Sequence, residues 1–151
     1  MPVEGVCLRH FAGADDVAPW LALREAAFAR ERIGVRAWDA AEFAREFLDK
    51  PWWDPRRMWL AEASSVEAEP AAQLIGSVTL ALRGSGEAAR PVVHWLMVHP
   101  RWRRRGLGRL LLATLEAAAW DQGHRRLWLE THAGWQNALR LYRALGYVEE
   151  D

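Results

Sequence analysis

Apolar positions along the chain switch between strand-like alternation and helical spacing, and the switches outline a sequence of elements. Residues from Val3 to Arg9 alternate and predict a first strand, with Cys7 among its core positions. From Ala14 to Arg30 the apolar residues Val17, Trp20, Leu21, Leu23, Ala27 and Phe28 recur at helical spacing, with Asp15 or Asp16 near the start. A second helix is predicted from Asp39 to Leu48, capped by Asp39, with Phe43, Phe47 and Leu48 as its stripe; Lys50-Pro51-Trp52-Trp53-Asp54-Pro55 breaks it. Met58 to Ala63 and Gln73 to Leu82 read as adjacent strands, and Gly84-Ser85-Gly86 marks the turn before a strand at Val92 to Val98. Leu107, Leu110, Leu111, Leu115 and Ala118 share one face of a long helix that Gly123 stops. A strand from Leu127 to Thr131, a last helix from Gly134 to Leu145 and a short tail complete an α/β (α+β) order without internal repeats.

Composition narrows the function. At 151 residues, 51% of them hydrophobic, the chain suits one domain over its whole length. Its 20 basic and 20 acidic residues cancel, which argues against a nucleic-acid binder driven by overall charge; an Arg/Trp cluster at residues 101–109 is the only feature favouring one. Cys7 is the sole cysteine, so neither an internal disulfide nor a cysteine metal site is expected. No apolar run is long enough to span a membrane and no secretory leader is visible, so the expected location is the cytoplasm. Ten tryptophans are unusual, and Trp20, Trp38, Trp52, Trp53 and Trp59 fall in the first half, where a substrate surface could lie.

The stretch before the long helix carries the chemistry. No Ser, Thr, Asp or Asn precedes it closely, so its first N–H groups lack a side-chain acceptor. Gly106 and Gly108 allow a close approach to the main chain, while Arg103, Arg104, Arg105 and Arg109 add positive charge to that of the helix dipole, a combination suited to a phosphate or pyrophosphate. A dinucleotide fingerprint fails because Leu111 stands where its third glycine belongs, and a triphosphate loop fails because the only lysine is Lys50. The pattern that remains is Arg/Gln-x-x-Gly-x-Gly/Ala, matched by Arg103 to Gly108 after a strand ending in Val98-His99-Pro100. Downstream comes Leu141-Tyr142-Arg143-Ala144-Leu145-Gly146-Tyr147. These two linked motifs resemble the acetyl-coenzyme A loop and the Leu-Tyr-x-x-x-Gly-Phe/Tyr ending of the GNAT superfamily of N-acetyltransferases.

The resemblance implies a GNAT fold: a central mixed, mostly antiparallel sheet of about six strands, flanked by four helices and splayed between the fourth and fifth strands, here Val92–Val98 and Leu127–Thr131. It implies acetyl-CoA as co-substrate, no metal, and direct transfer of an acetyl group to a primary amine of a small molecule, peptide or protein. The pyrophosphate would lie on Arg103, Arg104, Arg105, Gly106, Leu107, Gly108 and Arg109, and the pantetheine arm would pair with the backbone at Leu96 and Val98, the Val98 N–H facing the thioester carbonyl. Tyr142 would protonate the departing thiolate, unless it is only a packing residue. Glu130 resembles a strand glutamate used as base by ribosomal-protein N-terminal acetyltransferases, with an ion-paired surface role as its alternative and His94 and His132 as other candidate bases. Two departures stand out: Trp135 occupies a slot where the family usually has Asn, with Asn137 out of register, and the further strand the family adds at the end is missing. Either the tail pairs with the fifth strand, or a second copy of the chain covers that edge as a homodimer. A module that binds acyl-CoA without turnover is the alternative function.

Overall fold

One five-stranded sheet organises the chain, and the strands lie side by side in chain order: β1 (Val6–His10), β2 (Met58–Ala63), β3 (Leu74–Arg83), β4 (Arg90–Val98) and β5 (Trp128–Leu129). The computed structural model describes residues 3–28, 37–63, 73–84, 86–129 and 136–148, with the backbone alone at 136–139. The first three junctions are antiparallel, whereas β4 and β5 run parallel through the pairs Val92–Trp128 and Val93–Leu129. A parallel pair needs a crossover, supplied here by α3 (Leu107–Asp121). Helices α1 (Val17–Phe28) and α2 (Ala40–Phe43) lie between β1 and β2, and α4 (Gln136–Ala144) follows β5.

The architecture is the mixed, mostly antiparallel α+β arrangement expected, with four helices and five strands rather than six among the described residues. Strand ends fall within a few residues of expectation. The wedge expected between the fourth and fifth strands involves residues 130–135, which lie outside the described residues, Glu130, His132 and Trp135 among them. The helix expected from Asp39 to Leu48 divides: Asp39 caps α2 by accepting the Glu42 N–H at 2.9 Å, and the chain then widens into a π-helical turn, Ala44–Leu48.

Two cores sit on opposite faces of the sheet. Alternation in β2 sends Trp59 and Ala61 to one and Met58 and Leu60 to the other. On the first face α3 contributes Leu107, Leu111, Leu112, Leu115 and Ala119, while Leu110 and Ala118, expected in the stripe, are half-buried at its margin. On the second face α1 contributes Trp20, Leu23 and Ala27, and the α2 segment contributes Phe43 and Phe47. Trp20 meets the rings of Phe43 and Phe47 edge-on, each at 5.1 Å. Cys7 corrects the sequence reading, because it is exposed: Val6 and Leu8 pack on the first core, so alternation turns Cys7 to the open face of an edge strand. Asp16 proves to be the acid that matters before α1. Its carboxylate takes a bidentate pair from Arg9 at 2.9 and 2.6 Å and the Ala12 N–H at 2.7 Å, and the Arg9 guanidinium holds it below the ordinary carboxylate range.

Candidate active site

Helix α3 starts without a side-chain cap, on Gly106 in the left-handed region at φ 86°. Its first backbone bond runs from the Leu110 N–H to the Gly106 carbonyl at 3.0 Å, so the amides of Leu107, Gly108 and Arg109 lie ahead of the ladder. The preceding loop is tight. His99 Nδ1 accepts the Arg101 N–H at 3.2 Å, and Arg104 is itself left-handed at φ 64°. The two motif glycines are glycine for different reasons. Gly106 has room for a Cβ, its nearest neighbour being Val3 at 4.0 Å, but its φ disfavours one. Gly108 would push a Cβ to 3.2 Å from Leu141 of α4 and 3.8 Å from Val98 of β4, so its lack of a side chain lets α4 close over the start of α3.

The motif arginines divide as well. Arg103, expected on a phosphate, spends its guanidinium on the main chain: Nη2 donates to the Ala27 carbonyl at 2.7 Å and Nε to the Val98 carbonyl at 3.3 Å. It joins the end of α1 to the end of β4. Arg105 lies 4.6 Å over the Trp102 ring, and Arg104 and Arg109 are exposed around the turn.

Strand β4 is irregular where a thioester is expected. Ser77 pairs with Met97 and Thr79 with His94, so Val78 faces both Trp95 and Leu96, a bulge in which Trp95 takes φ 51°. The bulge changes the phase of the strand. His94 and Trp95 both turn to the α1/α2 face, with the His94 ring 5.7 Å from Phe47 and Trp95 packed on the aromatic core. Beyond it Leu96 and Val98 face the α3 core and Met97 the aromatic one. Leu96 and Val98 therefore lead from the bulge to Gly108.

Tyr142 on α4 is 7% exposed within the α3 core, and burial pushes its phenol up to about 12. Tyr147 packs half-buried against the same core and donates its hydroxyl to Glu116 Oε2 at 2.9 Å. His94 is held down at about 4, first by burial and then by Arg83 and Lys50, so it is neutral near pH 7. A base that weak is a poor match for an ammonium near 10. Its Nε2 lies 3.9 Å from Glu46 Oε2, a juxtaposition that helical periodicity could not have signalled because Glu46 reads as an ordinary charged helix position. Among the described residues no group of three His, Cys, Asp or Glu could hold a metal ion, and no helix is long and apolar enough to cross a membrane.

The profile of the Acetyltransferase (GNAT) family matches residues 22–147. A mycothiol acetyltransferase of Salinispora tropica is 37% identical over 148 residues, covering 96% of this chain and 45% of that protein. One from Thermobispora bispora is 32% identical over 148 residues, covering 96% and 47%. The chain thus spans about half the length of these relatives. Among solved structures, a chain of the NatC complex bound to Gag peptide and CoA superposes with a TM-score of 0.74 at 17% identity, over 97% of this chain and 86% of that one.

Proposed function

We propose that this chain, which belongs to the acetyltransferase (GNAT) family, moves an acetyl group from acetyl-CoA to a primary amine by direct attack of the amine on the thioester. The observation that carries the reading is the uncapped, glycine-built start of α3 joined through Val98 to the bulge of β4. The amides of Leu107, Gly108 and Arg109, with the side chains of Arg104, Arg105 and Arg109, would hold the pyrophosphate. Arg103 would act one step back, by fixing the loop. The bulge frees main-chain groups of β4 from the ladder, which leaves amides near Leu96 and Val98 to pair with the pantetheine arm and to stabilise negative charge on the thioester oxygen.

Tyr142 is the proposed acid. A phenol near 12 keeps its proton at neutral pH, but it is weaker than a thiol near 8.5. Proton transfer to sulfur is therefore uphill unless it proceeds together with loss of the proton from the attacking nitrogen. Glu130, or in its place His132, is proposed to receive that proton; the neutral, feebly basic state of His94 argues against it in this role. The acceptor belongs to the class of small-molecule, peptide or protein amines, and the names of the relatives put acceptors related to mycothiol first in an assay. A cytoplasmic location and a homodimer complete the reading. Incubating the protein with acetyl-CoA and an amine panel, and measuring free thiol, tests it. Stoichiometric CoA binding with no thiol released by any amine would instead favour a CoA-binding module without turnover.

A further inference from the structure

The bulge in β4 has a second consequence, on the face away from α3. It turns His94 toward the π-helical turn Ala44–Leu48, and that turn carries Glu46. π-helical turns are rare and concentrate at functional sites. Phe43 and Phe47, both fully buried, fix the segment against the sheet. The His94 ring lies 5.7 Å from that of Phe47 and 6.0 Å from that of Trp95. The His94 side chain is 16% exposed and that of Glu46 37%, so the pair opens to solvent through the carboxylate.

We propose that Glu46 and His94 together anchor the nitrogen of the acceptor amine, with Glu46 Oε2 and His94 Nε2 as paired hydrogen-bond acceptors beside the β4 bulge. The inference rests on the acetyl-transfer reading and adds the residues that recognise the amine. Separated by 3.9 Å, the two atoms are too far apart to bond each other, yet one nitrogen can sit about 2.8 Å from both. A neutral imidazole with its proton on Nδ1 presents a lone pair at Nε2, and the carboxylate supplies the charge that a primary ammonium seeks. Arg83 and Lys50 add to burial in keeping the imidazole neutral. Nothing in this arrangement touches the α3 turn, so amine recognition and CoA binding are separable.

The test combines kinetics with a binding measurement that needs no turnover. Glu46→Gln should raise the KM for the amine acceptor at least about tenfold while leaving kcat and the CoA affinity within about twofold, and Glu46→Asp should recover part of the loss. In parallel, n-butylammonium added near neutral pH should shift the imidazole nitrogen resonances of His94 in the CoA-loaded wild-type protein and not in Glu46→Gln. An unchanged amine KM in Glu46→Gln, or a His94 spectrum indifferent to n-butylammonium, overturns the proposal while CoA binding and acetyl transfer persist. Loss of CoA binding from the wild-type protein would count against the acetyl-transfer reading instead.

Discussion

The two faces of the sheet are built from different materials. Under α3 the core is aliphatic, with Ile75, Val78, Leu80, Leu107, Leu111, Leu112 and Leu115 buried around Tyr142 and Trp59. Under α1 and α2 it is aromatic, with Phe11, Trp20, Phe43 and Phe47. Three buried polar atoms without a hydrogen bond among the described residues, Trp20 Nε1, Ser77 Oγ and Thr79 Oγ1, fall on this second side, because Ser77 and Thr79 alternate with Val78 and Leu80. The aliphatic core seats the start of α3 through Leu107 and Leu111. The aromatic side carries buried polar atoms with unused bonding capacity, which costs stability.

The comparison can be broken in several ways. The largest expected effect is on turnover: Tyr142→Phe keeps the ring in the α3 core, removes the phenol and should slow transfer about 100-fold to 10,000-fold in steady-state assays, with the melting temperature unchanged. A full rate with the ring intact would leave Tyr142 a packing residue. Next is Leu111→Ala, which empties a fully buried α3 position and should cost about 2–5 kcal/mol in denaturant unfolding; a loss under about 1 kcal/mol would deny the tight packing assigned to this face. Gly108→Glu, which places bulk against Leu141 and negative charge beside the turn, should weaken CoA binding about 100-fold by calorimetry. Smaller again is the acid dependence from Asp16. Its folded pKa lies below the ordinary 3.8, so its contribution is present above that value and fades as pH falls through the folded one; Asp16→Asn should flatten this part of a stability–pH curve relative to wild type. The smallest effect sharpens the contrast: Thr79→Val removes a hydroxyl that has no partner and should be neutral or stabilising by up to about 1 kcal/mol, the opposite sign to Leu111→Ala.

Much of this organisation was legible from residue pattern alone. The order of elements, the Asp39 cap, the uncapped start at Gly106 and the strand ending at Val98 all follow from spacing and from what main-chain amides require. What was not legible depends on contacts between distant segments. Arg103 has the composition of a phosphate ligand, and only the approach of Ala27, far away in sequence, makes it a clamp on the main chain. Gly108 looked like a concession to a ligand, and Leu141 shows that helix packing already demands it. Cys7 could be assigned to a face but not to the side on which an edge strand goes uncovered. The pairing of Glu46 with His94 depends on two irregularities at once, a π-helical turn and a strand bulge. Regular periodicity signals neither, and the uninterrupted apolar run around Trp95 hides the change of phase.

That change of phase has a genetic reading. The bulge exists because β4 carries one more residue than β3 between two paired positions, so it is a matter of chain length before it is a matter of side chains. An alanine scan of β4 would sample each residue and leave the count intact. Deleting Trp95 alone would let the ladder close with His94 still opposite Thr79, Leu96 opposite Val78 and Met97 still opposite Ser77. His94, Leu96, Met97 and Val98 would keep the faces they now address, and what would go is the Trp95 ring and the irregularity of the ladder beside it. A one-residue deletion, more than any substitution, is the change that would abolish this feature of the strand.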